Sequence, residues 1–184
     1  MNIKILKTHF FSELQTIQED SEIESFFFIL TEFLHNLKRI DVSLHPDFEV
    51  SESDLEKWNT IISELKNEKP IQYITGEAWF YGLRFEVNED TLIPRPETEE
   101  LVAWAVEFGP YKTIADLCTG SGCIALGLKS KFSESDITGL DISTDALSLA
   151  KENSKLTNLD VEFIHADILN INEGFSDKKW DCII

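Results

Sequence analysis

The chain has 184 residues, 34 acidic against 16 basic, giving a net charge of −18 and a pI near 4.5. That balance disfavours bare DNA or RNA as a partner, because the Lys and Arg residues are scattered and form no basic patch. A hydrophobic content of 42% excludes disorder, and no apolar run nears the roughly 20 residues of a membrane span. The N-terminus lacks a secretory apolar core and cleavage site. Cys118, Cys123 and Cys182 have neither zinc-site nor disulfide-framework spacing. They predict reduced thiols, no metal centre and a cytoplasmic location.

Residues 1 to about 69 read as helical. Apolar residues fall at helical intervals over Ser12–Ile17 and over Ile23–Leu37, the latter through Ile23, Phe26, Phe27, Leu30, Phe33, Leu34 and Leu37. His45-Pro46 breaks the pattern. Ser53-Asp54-Leu55-Glu56 has the form of a capping box opening a third helix, with Leu55, Trp58, Ile61, Ile62 and Leu65 on one face. The aromatic stripe reads as the core of a small helical bundle, not as a cofactor box.

The period then changes. Trp79-Phe80-Tyr81, Gly82 and Leu83–Val87 alternate as a hairpin does. Leu92-Ile93-Pro94-Arg95-Pro96 must be extended, since each residue before a proline is pushed out of the α region. Pro96-Glu97-Thr98-Glu99-Glu100 opens a helix with acid in its first turn. Leu101, Val102, Trp104, Ala105 and Phe108 are expected on its buried face.

From Thr113 the pattern is strand (Thr113–Leu117), helix (about Gly122–Lys131), strand (Asp136–Ile142), helix (capped by Ser143, to about Leu156), strand (Val161–His165), and a last strand at Trp180–Ile184. This alternation predicts a doubly wound α/β sheet of strand order 3-2-1-4. The last strand would be an unpaired apolar edge, a liability for association.

The chemistry concentrates at Asp116-Leu117-Cys118-Thr119-Gly120-Ser121-Gly122, a strand end running through a glycine turn into a helix. Such a unit brings backbone close to a nucleotide-like molecule. Asp141 ends the next strand about twenty residues on, where an acid can accept hydrogen bonds from ribose hydroxyls; capping the following helix is its alternative role. Asp167-Ile168 ends the third strand, where an acid can accept from an adenine amine; a plain loop Asp is the alternative. The loop lacks the Gly-x-Gly-x-x-Gly spacing of a pyrophosphate site, and Asp116 sits poorly beside phosphate. This counts against a nicotinamide-dependent oxidoreductase. A sulfonium with an α-ammonium, an adenine and a ribose, as in S-adenosyl-L-methionine, matches the inventory better.

From about Pro70 onward the chain resembles the HemK family, the N5-glutamine methyltransferases of peptide-chain release factors. The residues that carry the resemblance are Pro70–Gly76, Phe80–Phe85, Leu92–Glu99, the Asp116–Gly122 loop, and Asp141-Ile142-Ser143 with Ala146, Leu147, Ala150 and Asn153. The Pro-Arg-Pro-Glu-Thr-Glu segment is the most specific of these; the later motifs are common to class I methyltransferases. The resemblance implies a fold of three parts: an N-terminal helical domain that recognises the release factor (1–75), a β-hairpin linker (76–95) and a Rossmann-like methyltransferase domain (96–184). It implies that Cys118, Thr119, Gly120, Ser121 and Gly122, with Asp116 before them, wrap the methionine part of the cofactor. Asp141 with Ile142 would hold the ribose, and Asp167 with Ile168 the adenine. Arg95, Pro96, Glu97 and Thr98 would line the substrate mouth, although a structural salt bridge for Arg95 and ordinary first-turn roles for Glu97 and Thr98 are open alternatives.

The family's catalytic signature, Asn-Pro-Pro-Tyr, is absent from the 184 residues and is expected just beyond Ile184. That signature orients an amide nitrogen, a poor nucleophile, in line with the methyl donor. His9, His35, His45 and His165 offer no substitute. The chain is therefore expected to be a front portion of a monomeric methyltransferase, incomplete at its C-terminus and inactive alone. The resemblance gives the substrate as the Gln side-chain amide in the Gly-Gly-Gln loop of release factors. Alternatives are a ribosomal-protein glutamine, a nucleic-acid base amine, or a non-catalytic fragment that binds a release factor.

Overall fold

A computed structural model describes residues 1–170 and 179–184. The chain forms two compact units, Met1–Thr75 and Gly76–Ile184.

The first unit is helical: α1 (Ile3–Leu14), α2 (Asp20–His35), α3 (Arg39–Leu44), α4 (Glu52–Lys66) and α5 (Ile71–Thr75). Helix α1 starts well before the Ser12 expected from spacing. Asn2 caps it, its Oδ1 accepting from the Ile5 amide at 3.0 Å, and Ile3, Leu6, Phe10 and Leu14 form the buried stripe. In α2 the expected face holds at Ile23, Phe27 and Leu30, whereas Phe33 is exposed and Leu37 lies past the end. Asn36, in the left-handed region with φ of 54°, ends that helix. The short α3 was not legible; it stops at His45, the residue before a proline. Helix α4 is opened by Ser51, not Ser53: the Ser51 hydroxyl accepts from the Asp54 amide at 3.1 Å. The predicted Trp58, Ile61, Ile62 and Leu65 are its buried residues. Trp58 centres the core, with Phe10 edge-on at 5.5 Å and Phe27 at 5.4 Å.

The second unit begins with the hairpin β1 (Glu77–Phe80) and β2 (Leu83–Glu86), paired Ala78 to Phe85. Its two-residue turn, Tyr81-Gly82, has φ of 50° and 79°, the geometry that matches strand twist. Helix α6 (Pro96–Phe108) starts on a proline as expected. Its buried face needs correction. Only Val102 and Ala105 are buried, while Leu101, Trp104 and Phe108 are 42%, 66% and 74% exposed. The helix carries two adjacent apolar stripes, and periodicity alone cannot tell which one the neighbouring helix covers.

The sheet elements follow: β3 (Thr113–Leu117), α7 (Cys123–Lys129), β4 (Asp136–Asp141), α8 (Thr144–Thr157), β5 (Glu162–His165) and β6 (Cys182–Ile183). All four strands are parallel in the order β5-β4-β3-β6, which is the predicted 3-2-1-4. Strand β6 is shorter than the expected Trp180–Ile184. Helix α8 is capped by Ser143 as expected, the hydroxyl accepting from the Ala146 amide at 3.2 Å. The fold is the expected α/β class: a helical N-terminal region, a hairpin and a Rossmann-like parallel sheet. Among the described residues no helix is long and apolar enough to cross a membrane.

Candidate cofactor site

The C-terminal ends of parallel strands are where an open α/β sheet presents its ligand crevice. Here β3 ends in Asp116-Leu117 and β4 in Asp141, with Asp116 opposite Gly139 and Asp141 opposite His165. The register therefore brings the glycine loop and the second-strand acid together. Gly120 donates its amide to Asp141 Oδ2 at 2.8 Å, and Ser143 donates to Oδ1 at 2.9 Å. Asp141 thus fastens the loop and starts α8 at once. Each carboxylate oxygen has a second lone pair, so both can still accept from a hydroxyl.

Asp116 is buried at 1% exposure. Its Oδ2 accepts from Thr119 Oγ1 at 2.6 Å and from the Ala125 amide at 3.1 Å. Burial pushes its carboxyl up to about 6, opposed by those two hydrogen bonds and reinforced by the nearby Asp141 charge. Two acidic residues thus stand at adjacent strand ends, Asp116 sealed beneath the loop and Asp141 half-buried beside it.

Within the loop the expected residues divide. The Thr119 and Ser121 side chains are buried, Thr119 engaged with Asp116, so they build the loop from within. Cys118 is exposed, with φ of 59°. Gly122 has φ of 79° and precedes α7 as its cap. Burial raises the neighbouring Cys123 thiol to about 11, leaving it unreactive.

On the third strand, Ala166 donates its amide to the Asp141 carbonyl at 2.9 Å, and His165 Nε2 donates to the Ile142 carbonyl at 2.9 Å. These bonds bring the β5 end beside Asp141 and the exposed Ile142. Asp167 is turned onto its own downstream segment, accepting from the Asn170 side chain at 2.7 Å and from the Leu169 amide at 2.9 Å. Those bonds hold its carboxyl below the usual range. Ile168 is half-buried.

Arg95, Pro96, Glu97 and Thr98 form the N-terminal turn of α6, with Arg95 exposed and extended at the cap. Among the described residues Arg95 makes no ion pair. The hydrogen bond that fixes this turn comes from Glu99, whose Oε1 accepts from the Tyr81 amide at 2.9 Å. It runs to the hairpin and not to the glycine loop.

Sequence reasoning assigned no role to Glu99, Asn153 or Phe163. Asn153 is fully buried, and its amide bonds reach the hairpin and the loop. Its signal was a polar residue on the apolar face of α8. The Phe163 ring lies under the loop: a Cβ at Gly139 would stand 2.7 Å from it, and one at Gly122 3.0 Å. Among the described residues no group of three or more His, Cys, Asp or Glu could hold a metal ion.

Two family models match the chain: a PrmC N-terminal domain over residues 6–76 and a methyltransferase domain over residues 114–184. A release factor glutamine methyltransferase of Flavobacterium psychrophilum is 43% identical over 190 residues, covering 100% of this chain and 66% of the relative. One from Enterococcus faecalis is 40% identical over 143 residues, covering 77% and 50%. Among solved structures, a Pyrococcus abyssi tRNA (uracil-54, C5)-methyltransferase in complex with S-adenosyl-L-homocysteine aligns over 58% of this chain and 26% of that one, at 19% identity and a TM-score of 0.49. The chain spans about 50% to 66% of the length of these two curated relatives.

Proposed function

The chain belongs to the HemK family of release factor glutamine methyltransferases, and on that premise we propose that its second unit binds S-adenosyl-L-methionine in the crevice between the Asp116–Gly122 loop and Asp141. The observation that carries this reading is the Gly120–Asp141 hydrogen bond, which sets a carboxylate with spare lone pairs beside a glycine turn at the strand ends. When bound, the cofactor supplies an electrophilic methyl on a sulfonium. The buried Asp116 carboxylate favours a cationic ligand, Asp141 accepts from the ribose hydroxyls, and Ile142 offers an apolar contact. Cys118 and the loop backbone enclose the methionine part. Asp167 and Ile168 face the adenine end, where the carboxylate must keep its turn and accept a further donor.

The whole protein's substrate is then the side-chain amide nitrogen of the Gln in the Gly-Gly-Gln loop of a peptide-chain release factor, in the cytoplasm, with the helical unit 1–75 gripping the release factor. Support comes from the names of the relatives and from the PrmC N-terminal match. The segment 76–95 acts as linker to the methyltransferase domain 96–184, and Arg95–Thr98 line the mouth through which the substrate loop reaches the cofactor. The 184 residues contain no Asn-Pro-Pro-Tyr, so by themselves they bind without transferring a methyl group, as the monomer that the family resemblance implies.

Calorimetric titration with S-adenosylhomocysteine tests the cofactor reading. Saturable binding is expected, lost in Asp141→Ala, with no heat from a nicotinamide dinucleotide. Absence of binding, or binding of the dinucleotide instead, sinks it. Incubation with a release factor and labelled methyl donor tests the second half: complex formation without a methyl mass gain on the Gln peptide is expected. Transfer by the 184 residues alone would overturn the claim that they lack a catalytic group.

A further inference from the structure

Asn153 lies on the buried face of α8 with Ala146, Leu147, Leu149 and Ala150, and is 0% exposed. Its Oδ1 accepts from the Glu86 amide at 2.7 Å. Its Nδ2 donates to the Glu86 carbonyl at 3.0 Å and to the Ser121 carbonyl at 3.0 Å. The opposite amide orientation would set an NH2 against an N–H and an oxygen against two carbonyls, so the environment admits one orientation only. Two of the three bonds pair both backbone groups of a β2 residue, as a neighbouring strand would. The third grips the Ser121–Gly122 peptide inside the glycine loop.

That peptide is held at its other end as well, the Gly122 amide donating to the Thr119 carbonyl at 2.9 Å. The Phe163 ring and the Ala150 methyl crowd the Gly122 Cα, standing 3.0 and 3.2 Å from where a Cβ would be. The hairpin is likewise held twice, by Asn153 at Glu86 and by Glu99 at Tyr81.

We infer that Asn153 is a positioning residue that locks the hairpin to the glycine loop, so that the orientation of the Ser121–Gly122 peptide follows the placement of β2. The segment preceding α6 and the loop under it then shift as one body, which ties the substrate side of the unit to its cofactor side. The ligand part of this inference rests on the cofactor reading above; the mechanical part does not.

Site-resolved amide exchange on the full chain separates the two. Asn153→Asp keeps an acceptor for the Glu86 amide and loses both donors. It is expected to speed Gly122 exchange by about tenfold or more while Glu86 stays within about threefold and the β3–β4 amides are unchanged. Asn153→Ala is expected to speed both Glu86 and Gly122. S-adenosylhomocysteine affinity is expected to fall by about tenfold in either variant. A single common acceleration across Glu86, Gly122 and the β3–β4 amides would mean a stability role alone and overturn the inference, as would an unchanged Gly122. Where the Asn153 variants do not fold, Glu99→Ala decides. Freeing the hairpin turn should speed Gly122 exchange by about threefold or more, and an unaltered rate would refute the lock. A wild type that shows the selective exchange pattern but binds no S-adenosylhomocysteine leaves the lock standing and removes the cofactor reading.

Discussion

Trp58 donates its indole N–H to His35 Nε2 at 3.0 Å, with the two rings nearly parallel at 17° and their centroids 6.2 Å apart. The bond ties the core of α4 to the last residue of α2. It also fixes the imidazole as the Nδ1–H tautomer, because Nε2 must offer a lone pair.

A pH dependence follows for the helical unit. Burial lowers the His35 pKa, with the Lys57 charge adding to the fall and the Asp54 charge opposing it. A base whose folded pKa is depressed contributes stability above its unfolded pKa of about 6.5, and that stability is lost as pH falls through the folded value. Protonation also breaks the Trp58 bond, worth about 1 kcal/mol. Denaturant unfolding of the first unit should therefore weaken between about pH 7.5 and pH 5. His35→Gln, which keeps an acceptor without a titration, should flatten that slope. An unchanged slope in the variant would assign the effect elsewhere.

The sheet unit should respond in the opposite sense. The Asp116 pKa rises on folding, from 3.8 to about 6. A raised carboxyl pKa gives stability that is complete below the unfolded value and lost as pH climbs through the folded one. The loss is on the order of 3 kcal/mol across that window. Asp116→Asn should reduce this dependence, so that the variant gains on the wild type between about pH 4 and pH 6. Cofactor-analogue affinity should move the other way, rising with pH as the carboxylate ionises and staying low and flat in the variant. Unfolding and titration at both pH values would check the pair, and parallel trends would refute it.

Gly139→Ala probes the packing beneath the loop. A Cβ there would stand 2.7 Å from the Phe163 ring and 2.8 Å from Thr119 Oγ1. Overpacking of this kind costs about 1–3 kcal/mol. Because Thr119 holds Asp116, the variant should also weaken analogue binding. Adding Phe163→Leu should recover part of the stability, and a double-mutant cycle with no coupling would contradict the contact.

Asp141→Asn tests the strand-end acid with little change of shape. The retained oxygen can serve the Gly120 amide or the Ser143 amide, not both. Analogue affinity should fall by about tenfold to a hundredfold, corresponding to about 1.4–2.8 kcal/mol, with a smaller loss of stability. Equal affinity would remove Asp141 from the ligand site.

Much of this was legible in the sequence because the informative signals are local. Thr113–Leu117 is a strand as predicted, and Ser143 caps α8 through its own hydroxyl. The strand order β5-β4-β3-β6 is that of a doubly wound sheet of the kind the family resemblance implies, and reading it needed no side chain. What was not legible depends on which neighbour arrives. Ser51 and Ser53 are equally good caps in sequence, and the Ser51 hydroxyl is the one that reaches the Asp54 amide. Leu101, Trp104 and Phe108 have the spacing of a buried face, but α7 lies against the adjacent stripe. At the site, Asp116, Asp141 and the glycines are marked by spacing, whereas Asn153 stands in the sequence only as a motif residue, and its role appears in bonds to residues 32 and 67 positions away.

The burial of Trp58 has an optical consequence. It is the sole indole of the helical unit and is 0% exposed, while Trp79 and Trp104 of the sheet unit are 70% and 66% exposed. With Trp180 of the sheet unit half-buried, the most blue-shifted, quencher-resistant emission belongs to Trp58 and the most red-shifted, quencher-accessible emission to Trp79 and Trp104. Because the Trp58 indole is bonded to an imidazole, and a protonated imidazole quenches indole emission, the blue component should dim as His35 gains its proton, reporting that titration without any added label.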